Sequence, residues 1–441
     1  MAVAGSGLKA SRGGALSGAV SAPGDKSISH RALIFGALAR GETIATGLLE
    51  GQDVLRTAAA MRALGARVER DLAEAGPVWR IEGARWRSPD RALYFGNSGT
   101  GCRLVMGALA GQSVSARFDG DQSLRARPMG RIAEPHGRMG ARIALRDGKL
   151  PGSLTAAPLQ GVDYEMPVAS AQVKSAILLA GLGAKGMTRI IERTPSRDHT
   201  ERMLAAFGAD IRVEKENGAR RISLAGGGAL EATRIDTPGD PSSAAFIAAA
   251  AAITQGSEVV IRNVLVNPLR AGFFETLKEM GARLAFENMR DISGEPVADI
   301  RVRGSSLKGV AVPASRAASM IDEYPILAVV AAFAEGETRM NGVEELRVKE
   351  SDRLAAVEAG LKANGVSVES GTDWLVVSGA GGVSGGACVK THLDHRIAMS
   401  FLVMGLAAER SVAIDDASMI ATSFPQFVDM MRGLGADIAP Q

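Results

Sequence analysis

Two apolar patterns alternate along this chain, and each recurs six times. The first is a short helical stretch with almost no polar face, at residues 28–38, 101–109, 173–182, 244–253, 326–334 and 397–407. A helix that is apolar all round must be covered on most sides, so each of these is expected inside a core. The second is a helical pattern ending in an apolar residue (once Asn), Gly and usually Ala: Leu64-Gly65-Ala66, Met139-Gly140-Ala141, Phe207-Gly208-Ala209, Met280-Gly281-Ala282, Asn364-Gly365-Val366 and Leu434-Gly435-Ala436. Its glycines are 75, 68, 73, 84 and 70 residues apart. Each predicts a helix closed by a glycine cap and followed by a strand, as at 67–69 and 210–213. Four of the apolar helices run into Gly-x-Thr or Gly-x-Ser, Gly41-Glu42-Thr43 and Gly336-Glu337-Thr338 among them, and strands follow, as at 43–45 and 259–261.

The chain is therefore expected to hold six units of about 70 residues, each with two helices and three or four strands. Three buried helices inside three sheets make one domain, and six units make two. The turn-rich segments Asp236-Thr-Pro-Gly-Asp-Pro241 and Ala22-Pro-Gly-Asp25 are the expected crossings between them. That places one domain at residues 25–238 and the other at 1–24 with 239–441.

Composition narrows the class. With 46% apolar and 22% charged residues, the chain is ordinary for a soluble globular protein. A net charge of +3 without a basic block gives no footprint for nucleic acid. Two cysteines without a CxxC argue against a disulfide framework and against structural zinc. The five histidines form no HExxH, and the His392/His395 pair lacks partners for a metal. The longest apolar runs are about ten residues, too short to span a bilayer, and no signal peptide is legible. A soluble cytoplasmic protein is expected, without cofactor or metal, bound neither to membrane nor to nucleic acid, and monomeric.

Candidate chemistry gathers just before the six apolar helices: Lys26 and Ser27; Asn97, Ser98 and Gly99; Ser170 and Gln172; Ser242 and Ser243; Asp322 and Glu323; His395 and Arg396. A helix N-terminus offers unpaired N–H groups and partial positive charge, a ready anion site. Ser, Asn and Asp there are equally explained as caps. Lys26, Arg31 and Arg396 are not, because a cation opposes the dipole and calls for an anionic ligand or a buried acid. Arg347-Val-Lys-Glu-Ser-Asp-Arg353 reads either as a solvated helix start or as a carboxylate held among cations, with Arg353 open to a bidentate anion. Arg127, beside Pro128, reads as a surface loop residue. Gly24-Asp25-Lys26-Ser27 lacks the glycine before Lys that a P-loop needs, and no GxGxxG follows a strand.

Taken together, Gly24-Asp-Lys-Ser-Ile-Ser-His-Arg31, Gly96-Asn-Ser-Gly-Thr100, Arg347–Arg353 and Asp394-His-Arg396 resemble the signatures of the EPSP synthase family, the 3-phosphoshikimate 1-carboxyvinyltransferases. The likeness runs from about residue 20 to 438. Pro167–Gln172, Ser196-Arg-Asp-His199 and Ser319–Pro325 are most similar to its glyphosate-tolerant members. The resemblance implies an α/β (α+β) fold of two similar domains. Each would hold three repeats of a βαβαββ-type unit with buried parallel helices inside sheets, and the active site would lie in the cleft between domains. It implies transfer of the enolpyruvyl group of phosphoenolpyruvate to the 5-hydroxyl of shikimate 3-phosphate. By the same token Lys26, Ser27, Arg31, Ser170, Ala171, Gln172, Arg197, Asp322 and Lys349 would hold shikimate 3-phosphate. Lys26, Gly99, Arg127, Gln172, Arg353 and Arg396 would surround phosphoenolpyruvate. Asp322, Glu350 and Lys26 would be catalytic, and glyphosate would be an inhibitor. At position 99 some tolerant members carry Ala; this chain keeps Gly. Two departures stand out: no Lys near Thr422-Ser-Phe-Pro425, and Glu345 where other members have Asn.

The alternatives are an enolpyruvyl transferase acting on UDP-N-acetylglucosamine, a non-catalytic repeat scaffold and a nucleotide-dependent RNA-end cyclase. In most transferases of the first kind the family places a reactive Cys on a loop, whereas Cys102 lies in an apolar helix pattern and Cys388 in a Gly-rich approach to a strand.

Overall fold

The computed structural model describes residues 7–74 and 76–441. It contains six four-stranded sheets, all with the same internal order. In the second repeat, Leu93–Tyr94 runs parallel to Ala116–Asp119, which pairs antiparallel with Lys149–Thr155, itself antiparallel to Arg142–Arg146. A buried helix, Gly99–Gly111, joins the first two strands, and an amphipathic helix, Gly130–Arg138, precedes the last two. This is the βαβαββ unit of the expected α/β class.

The repeating glycines explain the joints. Gly65, Gly140, Gly208, Gly281, Gly365 and Gly435 all have φ between 82° and 110°, the left-handed region that glycine enters without a Cβ clash. Each lets the chain leave an outer helix and enter a strand.

The chain divides into two compact units. One is Gly24–Thr237 with Ile292–Glu295; the other is Met1–Pro23, Pro238–Asp291 and Pro296–Gln441. Ile292–Glu295 groups with Gly24–Thr237 although Ile292 ends the strand Arg283–Ile292 and Glu295 begins the strand Glu295–Arg303. Each unit closes one sheet with a strand distant in sequence. Arg234–Asp236 pairs parallel with Glu42–Thr46 in the first unit. In the second, Leu8–Ser11 lies between Val412–Ile414 and Asp437–Pro440.

In the Gly24–Thr237 unit the buried helices are Lys26–Leu38, Gly99–Gly111 and Ala171–Gly181. A Cβ on Gly107 would lie 2.3 Å from the Ala176 carbonyl oxygen, and one on Gly111 would lie 2.6 Å from that of Leu179. The matched advance of 107 to 111 and 176 to 179 shows these two helices running in the same direction, backbone against backbone. Any side chain at Gly107 would force them apart. The other unit buries Pro241–Ile253, Tyr324–Ala332 and His395–Gly405. Every residue of Pro241–Ile253 is buried, and its seven alanines keep the packing thin; enlarging one would overpack the core at a cost of about 1–3 kcal/mol.

Candidate active site

The N-termini of the buried helices are where the polar side chains collect. Five of the six carry a side-chain cap: Asp25, Ser98, Ser170, Asp240 and Asp394 accept hydrogen bonds from backbone N–H groups of the first turn. Lys26, Gly99, Ala171, Ser242, Ser243, His395 and Arg396 therefore sit inside the first turns rather than ahead of them. Ser242 and Ser243 are not caps, because Asp240 takes that role; Ser242 Oγ donates to Glu323 Oε1 instead.

Within the Gly24–Thr237 unit the three N-termini meet. Arg103, one turn into its helix, donates to Gln172 Oε1, while Gln172 Nε2 donates to Thr100 Oγ1 at 2.9 Å. Arg31 Nη2 donates to Ser175 Oγ at 2.7 Å, and its Nε donates to Thr200 Oγ1 at 2.7 Å. Lys26 Nζ stands 3.3 Å from Asp53 Oδ2, so a carboxylate offsets the cation at this helix start. Arg127 is not on the surface: it is 6% exposed and donates to Asn97 Oδ1 and, at 3.2 Å, to Ser123 Oγ. Glycine at 99 makes room for it, since a Cβ there would lie 2.9 Å from Arg127 Nη1. Ser27 and Ser170 are half-buried beside these groups in sequence, and Arg197 is half-buried on the loop before the helix His199–Ala206.

In the other unit the charged segment is not a solvated helix start. Arg353 is 1% exposed and sits in a cage of three carboxylates. Its Nε donates to Asp394 Oδ2 at 2.8 Å, its Nη1 to Asp322 Oδ1 at 3.2 Å and its Nη2 to Glu350 Oε2 at 2.5 Å. The sequence suggested a carboxylate among cations with Arg353 open; the arrangement is the reverse, a cation among carboxylates, with its nitrogens already engaged. Burial opposes its charge, but Asp394, Glu350 and Asp322 together raise its pKa above the usual arginine value. Lys349 Nζ is 3.5 Å from the same Asp322 oxygen. Arg396 Nη1 donates to the Asp322 carbonyl at 3.0 Å and lies 3.6 Å from Glu323 Oε1. Asp322, Lys349, Glu350, Arg353 and Arg396 thus form one cluster, and Ser242, through Glu323, ties the three N-termini of this unit together.

Several members were not legible in sequence. Arg103 hides in a helix that reads as wholly apolar. Asp53 sits in the first turn of the amphipathic helix Gln52–Leu64. Asp394 lies in a legible motif, but its pairing with Arg353 does not show in the sequence. Burial shifts two further groups. His30 is fully buried, with Nδ1 2.8 Å from Thr57 Oγ1, and burial, then Lys26 and Arg31, lower its pKa to about 3. Burial pushes the Cys102 thiol up to about 12, which leaves it protonated and unreactive, unlike a nucleophilic loop cysteine.

Asp198, His199 and Glu295 bring three ligand-type atoms within 4.8 Å of one another. Arginines already hold both acids: Arg202 Nε is 3.1 Å from Asp198 and 3.7 Å from Glu295. His392 is exposed and His395 buried, so the two do not present a paired site. Among the described residues no helix is long and apolar enough to cross a membrane.

Six repeats of one βαβαββ unit, with cations and carboxylates gathered at the buried helix N-termini within each unit, make a fold shared with the enolpyruvyl transferases. An enolpyruvyl transferase from Streptomyces tendae, NikO, shares the fold at a TM-score of 0.76 and 21% identity over 99% of both chains. The EPSP synthase of Acinetobacter baumannii is closer, with a TM-score of 0.84 and 44% identity over 98% of this chain and 100% of that one. The family model described as EPSP synthase (3-phosphoshikimate 1-carboxyvinyltransferase) matches residues 10–431. Two curated relatives carry the name 3-phosphoshikimate 1-carboxyvinyltransferase. That of Parvibaculum lavamentivorans is 59% identical over 98% of this chain and 96% of its own, and that of Caulobacter vibrioides is 57% identical over 98% and 99%. The chain belongs to the EPSP synthase family.

Proposed function

We propose that this protein transfers the enolpyruvyl group of phosphoenolpyruvate to the 5-hydroxyl of shikimate 3-phosphate and releases phosphate. The observation that carries the assignment of roles is the clustering of cations and carboxylates at helix N-termini within each unit. Lys26, Ser27, Arg31, Ser170, Ala171, Gln172 and Arg197, with Asp322 and Lys349, hold shikimate 3-phosphate. Lys26, Gly99, Arg127, Gln172, Arg353 and Arg396 surround phosphoenolpyruvate.

The 5-hydroxyl gives up its proton to a carboxylate as its oxygen bonds to the phosphate-bearing enol carbon of phosphoenolpyruvate, and the methylene carbon gains a proton. The tetrahedral intermediate then loses phosphate, and the methyl group returns a proton. Two carboxylates in different surroundings can divide this work. Asp322 and Glu350 qualify: both touch Arg353, and Asp322 also faces Lys349. Phosphoenolpyruvate enters by taking the Glu350 contact of Arg353 for its own carboxylate, which frees Glu350 to carry a proton. Lys26, Arg127 and Arg396 stabilise the departing phosphate electrostatically.

The exposed Cys388 thiol suits a reducing, cytoplasmic setting. Glyphosate is the expected competitor of phosphoenolpyruvate beside Gly99. Phosphate release from shikimate 3-phosphate plus phosphoenolpyruvate tests the assignment, with Lys26→Ala and Glu350→Ala as controls. Release that depends on both substrates and collapses in both variants supports it; release indifferent to either substitution ends it.

A further inference from the structure

Lys174 lies at the fourth position of the helix Ala171–Gly181, and its side chain is completely buried. That placement is unfavourable twice over. Desolvating an ammonium costs several kcal/mol, and a cation near a helix N-terminus opposes the dipole. A Met would fill the space without either cost. Lys174 is instead met by two buried carboxylates, Glu192 Oε2 at 3.0 Å and Glu201 Oε1 at 2.8 Å. Arg220, mostly buried, stands 3.9 Å from Glu192 and 3.7 Å from Glu201, so two cations face two anions.

The contacts run on into the loop that bears Arg197. Glu192 ends the strand Met187–Glu192, and its Oε1 accepts from both the backbone N–H (3.3 Å) and the hydroxyl of Ser196. Lys174 Nζ donates to the Ser196 carbonyl at 3.3 Å. Ser196 is therefore held at N–H, carbonyl and hydroxyl, and Arg197 is the next residue. The geometry points to Lys174 and Glu192 as positioning residues that lock Arg197 in register with the substrate-facing start of the Ala171–Gly181 helix. Alanine 171 and Gln172 begin that helix, and Lys174 joins it to the loop. The clamp fixes the spacing between two groups that grip shikimate 3-phosphate, which makes Lys174 a determinant of affinity for that substrate and not for phosphoenolpyruvate. The inference rests on the role given to Arg197 above.

The test uses the full-length enzyme with Ser196→Ala, Lys174→Met and Arg197→Ala. Binding of shikimate 3-phosphate is measured by calorimetry, and the Michaelis constant of each substrate and kcat are measured by phosphate release. Weakening of shikimate 3-phosphate is expected to be about threefold in Ser196→Ala and about tenfold in Lys174→Met, from the loss of one hydrogen bond to a charged group and of the whole clamp. The phosphoenolpyruvate constant and kcat stay within about twofold, a split that general loosening of the unit would not give. Ser196→Ala keeps the question open to measurement should Lys174→Met fail to fold. Parent-like binding in a folded Ser196→Ala or Lys174→Met protein, while Arg197→Ala binds weakly, overturns the clamp alone. An equal rise in both Michaelis constants overturns it too. Parent-like binding in Arg197→Ala removes the underlying assignment and the clamp with it.

Discussion

Arg353 and Asp394 are joined by two hydrogen bonds, Nε to Oδ2 at 2.8 Å and Nη2 to Oδ1 at 3.4 Å, in a place where neither side chain meets solvent. The same Asp394 Oδ1 accepts from the Arg396 backbone N–H at 2.9 Å and caps the last buried helix. One carboxylate thus holds the guanidinium of Arg353 and the backbone of Arg396. Asp394→Asn keeps a competent cap but leaves Arg353 short of charge. Breaking one side of a buried pair costs about 3–5 kcal/mol, so denaturant unfolding is expected to show a loss of that size. The phosphoenolpyruvate Michaelis constant rises with it.

Asp322→Asn and Glu350→Gln remove the proposed proton carriers with little change of shape. Each is expected to lower kcat by about 10²–10⁴-fold, the usual range for general acid–base help. Stopped-flow measurement of phosphate release reads this directly. A kcat within about threefold of the parent in either variant would remove that residue from the proton steps.

Gly99→Ala places a methyl 2.9 Å from Arg127 Nη1 and displaces the guanidinium. A rise of about tenfold in the phosphoenolpyruvate Michaelis constant is expected, as for a weakened charge-assisted contact. The glyphosate inhibition constant is expected to rise more, because the methyl also crowds the inhibitor. Steady-state inhibition assays compare the two; equal changes refute the crowding argument.

His30 sets a pH dependence of stability. Its folded pKa is about 3 against an ordinary value of 6.5, so between these limits the unfolded chain binds the extra proton. Stability is fully present above about pH 6.5 and is lost as the pH falls toward 3, by up to about 1.4 kcal/mol per pH unit from this group. His30→Gln is expected to flatten the slope of unfolding free energy between about pH 4 and 6 by that amount.

The repeats were legible because their signal is local. A glycine that must adopt positive φ after a helix looks the same at Gly65 and at Gly435, and a helix with no polar face can only be interior. The site was legible in part, through cations where a helix dipole disfavours them. What stayed hidden depends on partners remote in sequence. The charge pattern at Arg347–Arg353 suits a solvated helix until Asp394 arrives across the fold. Arg103 lies in an apolar run and shows its purpose only when Gly107 brings Ala176, and with it Gln172, against its helix. Arg127 reads as a loop residue because nothing nearby in sequence announces Asn97 as its acceptor.

The placement of Leu8–Ser11 between Val412–Ile414 and Asp437–Pro440 has a bearing on biosynthesis. A ribosome delivers that first strand about 400 residues ahead of both of its neighbours, whereas Gly24–Thr237 emerges as an almost unbroken stretch. The nascent chain can therefore assemble Gly24–Thr237 early, while Leu8–Ser11 stays unmatched until Val412–Ile414 and Asp437–Pro440 have been made. Removing Asp437–Pro440 would leave Leu8–Ser11 with a bare edge, so a change there would be felt at a strand remote in sequence.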